Sequence, residues 1–509
     1  MSKTVRRNLL ILHTDQQRYD SLGCAGNPHA RTPNIDALAA EGTFFSRHIV
    51  SNPVCMPSRA TLLTGLYPSG HGIGMNGVPL PRREHRTLAP AAPDEAAHVA
   101  TLADMLSEAG YHTAALGKLH LTPMRSDARY GFAESRPAWE CGQYDDTWTG
   151  PYCGFREVQL TNGHGEEPCR PKLCHYGHWL TKHHPEVLQA IEASRDARHG
   201  AVEGIPQAWL SAVPSEVHHS TWLGQRACEC VSRAAREDRP FFLFVGFPDP
   251  HHPVVPPEDV ARDFLDMPVP EPLMSEEELS DKPSPMRQLM ATTGRRNIRT
   301  VSPESLRTVA RYTAAMVSLI DRAVGRIVER LKQSGQWGDT VVIFTSDHGD
   351  WMGDHGLIYK AYCPSHSLLH TPLVLRCPGD GLPRRVDAAV SNADIVPTVL
   401  SLLGLPAPDG LHGCDLFAGG ERPLPMAQTS AIDPRENSLT VYDDRYRYSC
   451  YPQLGEEELY DHTNDPGELV NLAAQATTET RAVCDRLRGR LFEQHARCYQ
   501  PVQHRLSPW

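Results

Sequence analysis

An α/β fold with a large, mostly parallel sheet between helices is what this sequence predicts, and three observations lead there. Short apolar runs at residues 9–13, 113–116, 241–246, 340–345 and 372–376 alternate with helical patterns along the chain. Most of these runs lead straight into polar residues: Asp15, Lys118, Asp249-Pro-His-His252 and Asp347-His-Gly-Asp350. Open α/β sheets bind ligands beyond the carboxyl ends of their strands, so these residues stand where such a fold gathers its chemistry. Finally, 509 residues are enough for one large core with a smaller unit beside it.

Taken in order, the first apolar run follows a basic start and superficially resembles an export signal. It covers only Leu9 to Leu12 and ends on a charged residue instead of a small-residue cleavage site. It is read as the first strand, and the protein as cytoplasmic. No segment approaches the roughly 18–20 apolar residues that cross a bilayer. Ser302 can cap, and Pro303 open, a helix over 303–331. Its stripe of Val309, Tyr312, Met316, Ile320, Val324, Ile327 and Leu331 has helical spacing and is read as core. Gly335 and the Gly338-Asp339 turn then deliver a strand at 341–344. Residues 125–235 are rich in Trp, Tyr, His, Cys and Gly with weak periodicity, and 256–300 read as a charged, Pro-rich surface excursion. Long irregular segments in enzymes form pocket walls and lids, so substrate choice is expected there. Pro406, Pro408 and several glycines suggest a boundary. Short alternating strands at 439–442 and 445–448 and a helix over about 476–497 follow it, and Pro501 to Trp509 is read as a frayed end.

A net charge of −11, a pI near 6.2 and the lack of a long basic run exclude nucleic acid and anionic membranes as natural partners. Fourteen cysteines are scattered without a framework. The close pairs Cys169/Cys174 and Cys228/Cys230 lack zinc-site spacing, so reduced thiols are expected.

The stretch Ser51-Asn-Pro-Val-Cys-Met-Pro-Ser-Arg-Ala-Thr-Leu-Leu-Thr-Gly65 stands out. Pro57 suits a first helical turn, and a helix N-terminus favours an anion. Arg59 adds a permanent cation with several donors, suited to a tetrahedral oxyanion. On spacing alone Cys55 reads equally as a buried cysteine before an ordinary helix. The Cys-x-Pro-x-Arg core, however, resembles the signature of formylglycine-dependent sulfatases, of the alkaline phosphatase superfamily. The match continues through Thr61-Leu-Leu-Thr-Gly-Leu-Tyr-Pro-Ser69, and further matching segments cover most of the chain.

The resemblance implies an alkaline phosphatase-like fold with a mixed, mostly parallel sheet. Residues 456–472 resemble the closing stretch of sulfatases, which leads out of a small antiparallel sheet. The expected units are therefore a catalytic domain, 1–415, and a C-terminal α+β subdomain, 416–509. It further implies that Asp15, Gln16, Asp347 and His348 hold one divalent cation together with residue 55. Many family members have Asp where this chain has Gln16, and Asn where it has His348. That change removes a negative charge and adds a nitrogen ligand, shifting the balance from calcium towards manganese or magnesium. The Gln-and-His version also resembles phosphonate monoester hydrolases and choline sulfatases.

Gly117-Lys-Leu-His120 matches the family's Gly-Lys-x-His and brings Lys118 and His120 to the site by resemblance. His251, in Pro248-Asp-Pro-His-His-Pro253, matches a Pro-His-x-Pro histidine, with His252 the weaker of the pair. Lys360 matches a lysine after the second ligand pair, and Asn76 a polar residue near the nucleophile. By the same resemblance, a separate maturation enzyme oxidises Cys55 to formylglycine, whose hydrate attacks sulfur and gives a covalent sulfo-enzyme intermediate. Lys118, Lys360, Arg59 and the cation offset oxyanion charge, His251 assisted by Lys360 protonates the leaving oxygen, and His120 serves as base when sulfate leaves. The expected substrate is a small sulfate ester. The alternatives are a phosphonate monoester or phosphodiester hydrolase on the same scaffold, and a silent binding protein, against which the retention of every reactive group argues. The alcohol half of the ester, a homo-oligomer, and the roles of His366 and of His370, where many relatives have Arg, stay open.

Overall fold

A computed structural model describes residues 7–82, 98–194, 198–237, 239–292, 296–379, 381–475 and 477–498. The main sheet contains β1 (Asn8–Thr14), β2 (Thr43–Ile49), β3 (His112–Gly117), β4 (Glu157–Leu160), β5 (Phe241–Gly246), β6 (Thr340–Ser346), β7 (His370–Arg376), β8 (Arg385–Val386) and β9 (Val390–Ser391). Its order is β4-β3-β5-β1-β6-β7-β2-β8, with β9 also on β2. Neighbours are parallel from β4 through β6, whereas β7 runs antiparallel to both β6 and β2. The expected mixed, mostly parallel sheet is therefore present.

Side chains alternate across a strand, and here both faces are buried. Leu9 and Ile11 point into one core with Phe242, Ile343 and the helix α1 (Cys55–Thr64). Leu10 and Leu12 point into the other, beneath α2 (His219–Ala234) and α3 (Pro303–Gln333). That double burial is why β1, β5 and β6 read as unbroken apolar runs.

The stripe on α3 divides between two cores. Ile320, Val324, Ile327 and Leu331 cover the sheet, while Val309, Tyr312 and Met316 pack with Val260, Phe264, Met267 and Ile298. Residues 256–300 are thus more than a surface excursion: their apolar side chains are too widely spaced to show a period, but they close over the N-terminal half of α3. Strands β2 and β4 also escape a reading by periodicity. The first carries Arg47 and His48 and an irregular register against β7, and the second has only four residues.

A second sheet, β10 (Met426–Thr429), β11 (Ser438–Tyr442), β12 (Tyr446–Tyr451) and β13 (Glu456–Asp461), is antiparallel throughout. α4 (Thr478–Cys498) packs Cys484, Leu487 and Leu491 onto Val441, Tyr448 and Leu459. The backbone N–H of Gln428 on β10 donates to the Ser51 carbonyl at 2.8 Å, and Asn52 Nδ2 donates to the Gln428 carbonyl at 2.6 Å. The small sheet thereby braces the turn that leads into Cys55. Residues 501–509 lie outside the described residues. Among the described residues, no helix is long and apolar enough to cross a membrane.

The strands converge on the site through a close approach between β3 and β5. Gly117 and Gly246 face each other in register, and the Lys118 N–H donates to the Gly246 carbonyl at 2.8 Å. A Cβ on Gly246 would lie 2.1 Å from the Lys118 carbonyl oxygen, and Gly117 has φ +88°. We predict that Gly246→Ala destabilises the protein by about 1–3 kcal/mol through this backbone clash and also impairs turnover by displacing Lys118. Chemical denaturation measures the first effect, and an unchanged midpoint would show that the strands part freely at this point.

Candidate active site

β1, β5, β6 and β3 are adjacent and parallel, so their carboxyl ends open on one edge of the sheet. There β1 delivers Asp15 and Gln16, β3 delivers Lys118, β5 leads to His251, and β6 delivers Asp347 and His348. Cys55 is the first residue of α1, which enters the same space. Its first turn is held from outside: the Met56 N–H donates to Asn76 Oδ1 at 3.0 Å. Asn76 therefore positions the helix that begins at Cys55.

Asp15, Arg59, Lys118, Asp347 and His348 are wholly buried, and Lys360 nearly so. Arg59 Nε donates to Asp347 Oδ2 at 2.7 Å, Nη1 to the Lys118 carbonyl at 2.8 Å, and Nη2 lies 3.2 Å from Asp15 Oδ2. The guanidinium read from the sequence as an oxyanion partner thus clamps the two carboxylates together. Lys118 Nζ contacts Asp15 Oδ2 directly. Lys360 Nζ stands 2.7 Å from Cys55 Sγ and 2.6 Å from His348 Nε2. Burial and the Asp15 carboxylate push the Cys55 thiol up, but Lys118 and Lys360 bring it down to about 6. Burial also pushes Asp15 up, and Lys118, His251 and Arg59 outweigh it, leaving that carboxyl well below its ordinary value.

The ligand atoms of Asp15, Cys55, Asp347 and His348 all lie within 4.8 Å of one another. His348 Nδ1 donates to the Gly349 carbonyl at 2.8 Å, which turns the lone pair of Nε2 towards the two carboxylates. Two buried carboxylates and a tautomer fixed in this way fit a divalent cation, provided Lys360 yields the imidazole nitrogen. Gln16 adjoins this group through its backbone, which donates to Asp347 Oδ1 at 3.0 Å. Its amide group faces away: Oε1 accepts from His252 Nδ1 at 3.0 Å, and Nε2 donates to the buried Asp350.

His120 sits on a left-handed backbone (φ 56°), and its buried ring Nδ1 has no hydrogen-bond partner among the described residues. This loop is stapled by Glu134, whose carboxylate accepts from the N–H groups of His120, Leu121 and Thr122. His251 belongs to a column of rings. It stacks on His164 at 3.6 Å and on His252 at 4.1 Å, and His252 stacks on Tyr359 at 4.1 Å. The His251 Nδ1 donates to the His252 carbonyl, so Nε2 is its outward atom. By contrast, His370 stays outside the site, donating from Nε2 to the Ser46 carbonyl at 2.9 Å and stacking on Tyr19. His366 stacks on His370 and lies tilted against His462.

Two residues of this site, His164 and Glu134, are not singled out in the sequence, and Asp350 is named there only as the end of a polar stretch after a strand. His164 Nε2 lies 2.7 Å from Lys118 Nζ and 3.6 Å from Asp15 Oδ2. Burial and Lys118 lower its pKa to about 4, so it is neutral and accepts a Lys118 proton. Its signal is Asn162-Gly-His-Gly165 directly after β4, with Gly163 at φ 86° and Gly165 at φ 57°. A histidine between two left-handed glycines at a strand end is a built turn. It was hidden because β4 itself is short and half polar.

The family model described as Sulfatase matches residues 7–405. The chain is 26% identical to an arylsulfatase of Clostridium perfringens, over 92% of this chain and 90% of that one. It is likewise 26% identical to a choline-sulfatase of Rhizobium meliloti, with 92% and 83% covered. Among solved structures, the phosphonate monoester hydrolase of Agrobacterium radiobacter superposes with a TM-score of 0.77 at 28% identity, covering 97% of this chain and 96% of that one. The chain belongs to the sulfatase family.

Proposed function

We propose that this protein hydrolyses sulfate esters, with Cys55 as the precursor of its nucleophile. The observation that supports this most is the charge around one sulfur atom. With residue 55 as the uncharged aldehyde, Arg59, Lys118 and Lys360 outnumber the carboxylates of Asp15 and Asp347, which leaves a buried positive site for an anion. Formylglycine at position 55 and a divalent cation on Asp15, Asp347 and His348, with Gln16 beside them, would supply an oxygen nucleophile, a reversible carbonyl and Lewis acidity.

The chain's own groups have separable tasks in this reading. Arg59 holds the two carboxylates at a fixed distance. Lys118, steadied by Asp15 and His164, offers its ammonium to the non-bridging oxygens, and Lys360 does so from beside residue 55. His251, held by its stack, turns Nε2 to the leaving oxygen; with its Nδ1 proton committed to the His252 carbonyl it must take up a second proton to act as the acid, and Lys360 is the other proton source. His120, whose Nδ1 has no partner, is the base when the anion departs. A separate enzyme must oxidise Cys55 during maturation. A second reading, hydrolysis of phosphonate monoesters or phosphodiesters, is favoured by the likeness to the Agrobacterium enzyme and by Gln16 and His348.

The two readings are separated by kcat/KM for matched 4-nitrophenyl esters, using protein whose Cys55 peptide mass shows the aldehyde. We expect sulfate to lead phenylphosphonate and the phosphodiester; a lead for either phosphorus ester would replace the first reading with the second. Asp347→Asn is expected to lower the content of bound divalent cation at least tenfold by elemental analysis, and full retention would remove Asp347 from the ligand set. For His164, two substitutions part its two contacts. His164→Phe keeps a ring on His251 but removes the acceptor for Lys118, and should cut kcat/KM roughly tenfold for all esters alike. His164→Asn keeps a polar partner but loses the stack, and should depress poor leaving groups such as phenyl sulfate more than 4-nitrophenyl sulfate. Wild-type kinetics in both would reduce His164 to a wall residue.

A further inference from the structure

A cavity of about 860 Å3 opens at His164, His251 and His252 and extends between the loops and helices of residues 125–209. It lies at the upper end of the roughly 300–1,000 Å3 that bound small molecules fill, so a disaccharide-sized group fits. Its wall is unusual in charge for a chain of net −11. Arg136 is already neutralised, by Glu140 at 2.6 Å and Glu167 at 3.3 Å. Arg125 and Arg170, both exposed to the cavity, have neither a carboxylate nor a hydrogen-bonded side-chain partner among the described residues. Arg198 also lacks a carboxylate there: it donates to the Pro206 carbonyl at 3.1 Å and lies 4.0 Å above the Trp209 ring. Glu166, which accepts from Ser211 at 2.9 Å, and Glu192 are the remaining acids on this wall.

We infer that this cavity is the subsite for the alcohol half of the ester, and that this alcohol carries an anionic group of its own. The inference rests on the ester-hydrolase reading of the adjoining site. Guanidinium forks match carboxylate or sulfate oxygens in pairs, and the wall leaves three of them uncompensated against two acids. The Arg198–Trp209 pair adds a flat floor, apolar and cationic together, for a ring. A quaternary ammonium alcohol such as choline is the wrong partner. It would meet guanidiniums, and the one indole face it could use is covered by Arg198.

The test is competitive inhibition of 4-nitrophenyl ester turnover by sulfate-free probes. These are digalacturonate, a disaccharide bearing a C-linked sulfonate, neutral cellobiose, and choline. We expect an acidic disaccharide to inhibit at least tenfold more tightly than cellobiose, with choline weakest. The advantage should shrink as salt rises, because exposed charges are screened. Comparing digalacturonate with the sulfonate tells carboxylate from sulfate recognition. In the double variant R125Q/R170Q the ratio of acidic to neutral inhibition should collapse towards one. Equal inhibition by acidic and neutral sugars, tighter inhibition by choline, or a ratio untouched by R125Q/R170Q would overturn the inference. If a phosphorus ester proves to be the one turned over, the same ratio is read with that ester, so the failure of the sulfate reading and the failure of this one remain distinct.

Discussion

Five charged side chains held out of water in mutual contact are the constraint on which this structure turns. Taking an isolated carboxylate or ammonium into a protein interior costs several kcal/mol, and only close pairing offsets it. Arg59 reaches both Asp15 and Asp347, Lys118 contacts Asp15, and Lys360 closes the group against Cys55 and His348. No pair is self-contained. Removing any one member strands a neighbour's charge in the interior, so the cluster behaves as a unit and its carriers must be stiff. The fold meets that demand by placing four of the members at the ends of β1, β3 and β6 and on the first turns of α1, elements buried on both sides, and Lys360 on the buried loop between β6 and β7.

The same arithmetic explains why the site invites a ligand. Once the Cys55 thiol, itself an anion near neutral pH, is replaced by an uncharged aldehyde, three cations against two carboxylates leave an excess of positive charge, and a divalent cation on Asp15, Asp347 and His348 would increase it. A tetrahedral anion is the natural complement. Stability and function therefore pull on the same groups: the arrangement that keeps Arg59 and Lys118 satisfied in the resting protein also aims an unfilled field at residue 55. His164 belongs to this balance because it accepts from Lys118 without adding charge, holding the ammonium in place while leaving its field intact.

How legible these features are in the sequence follows from how each is built. β1, β5 and β6 can be read directly, because burial on both faces leaves an unbroken apolar signature, and Asp15, Asp347 and His348 can be read as their polar ends. Cys55, Arg59, Lys118, His120 and Lys360 can be read because they sit in short local patterns. What these patterns do not carry is direction. Nothing in Cys-x-Pro-x-Arg says that Arg59 turns back onto two carboxylates, since those partners lie 44 and 288 residues away in the chain. β2 and β4 are obscured by charged or polar residues at half their positions. With β4 hidden, the Gly-His-Gly turn after it has no strand to belong to. Glu134 is equally silent, because a carboxylate that staples three backbone N–H groups looks in sequence like any other acid.

Sulfate monoesters, phosphonate monoesters and phosphodiesters share one property near neutral pH: each is tetrahedral at the reacting atom and carries a single negative charge. A cluster that works by net charge and by donors directed at non-bridging oxygens treats the three nearly alike. Choice among them must then come from groups that meet what differs, which is the leaving alcohol and the substituent on the central atom. In the proposed reading those groups are carried by the walls among the described residues between 125 and 300, whose apolar residues pack onto α3 and whose polar residues carry less of the core. The division is physical. The strand ends cannot change without exposing a buried charge, whereas the walls can exchange an arginine for another side chain at little cost to the fold. In the proposed reading, one such cluster can therefore serve esters of sulfur or of phosphorus, and the identity of the substrate would be set by residues that the chemistry itself does not require.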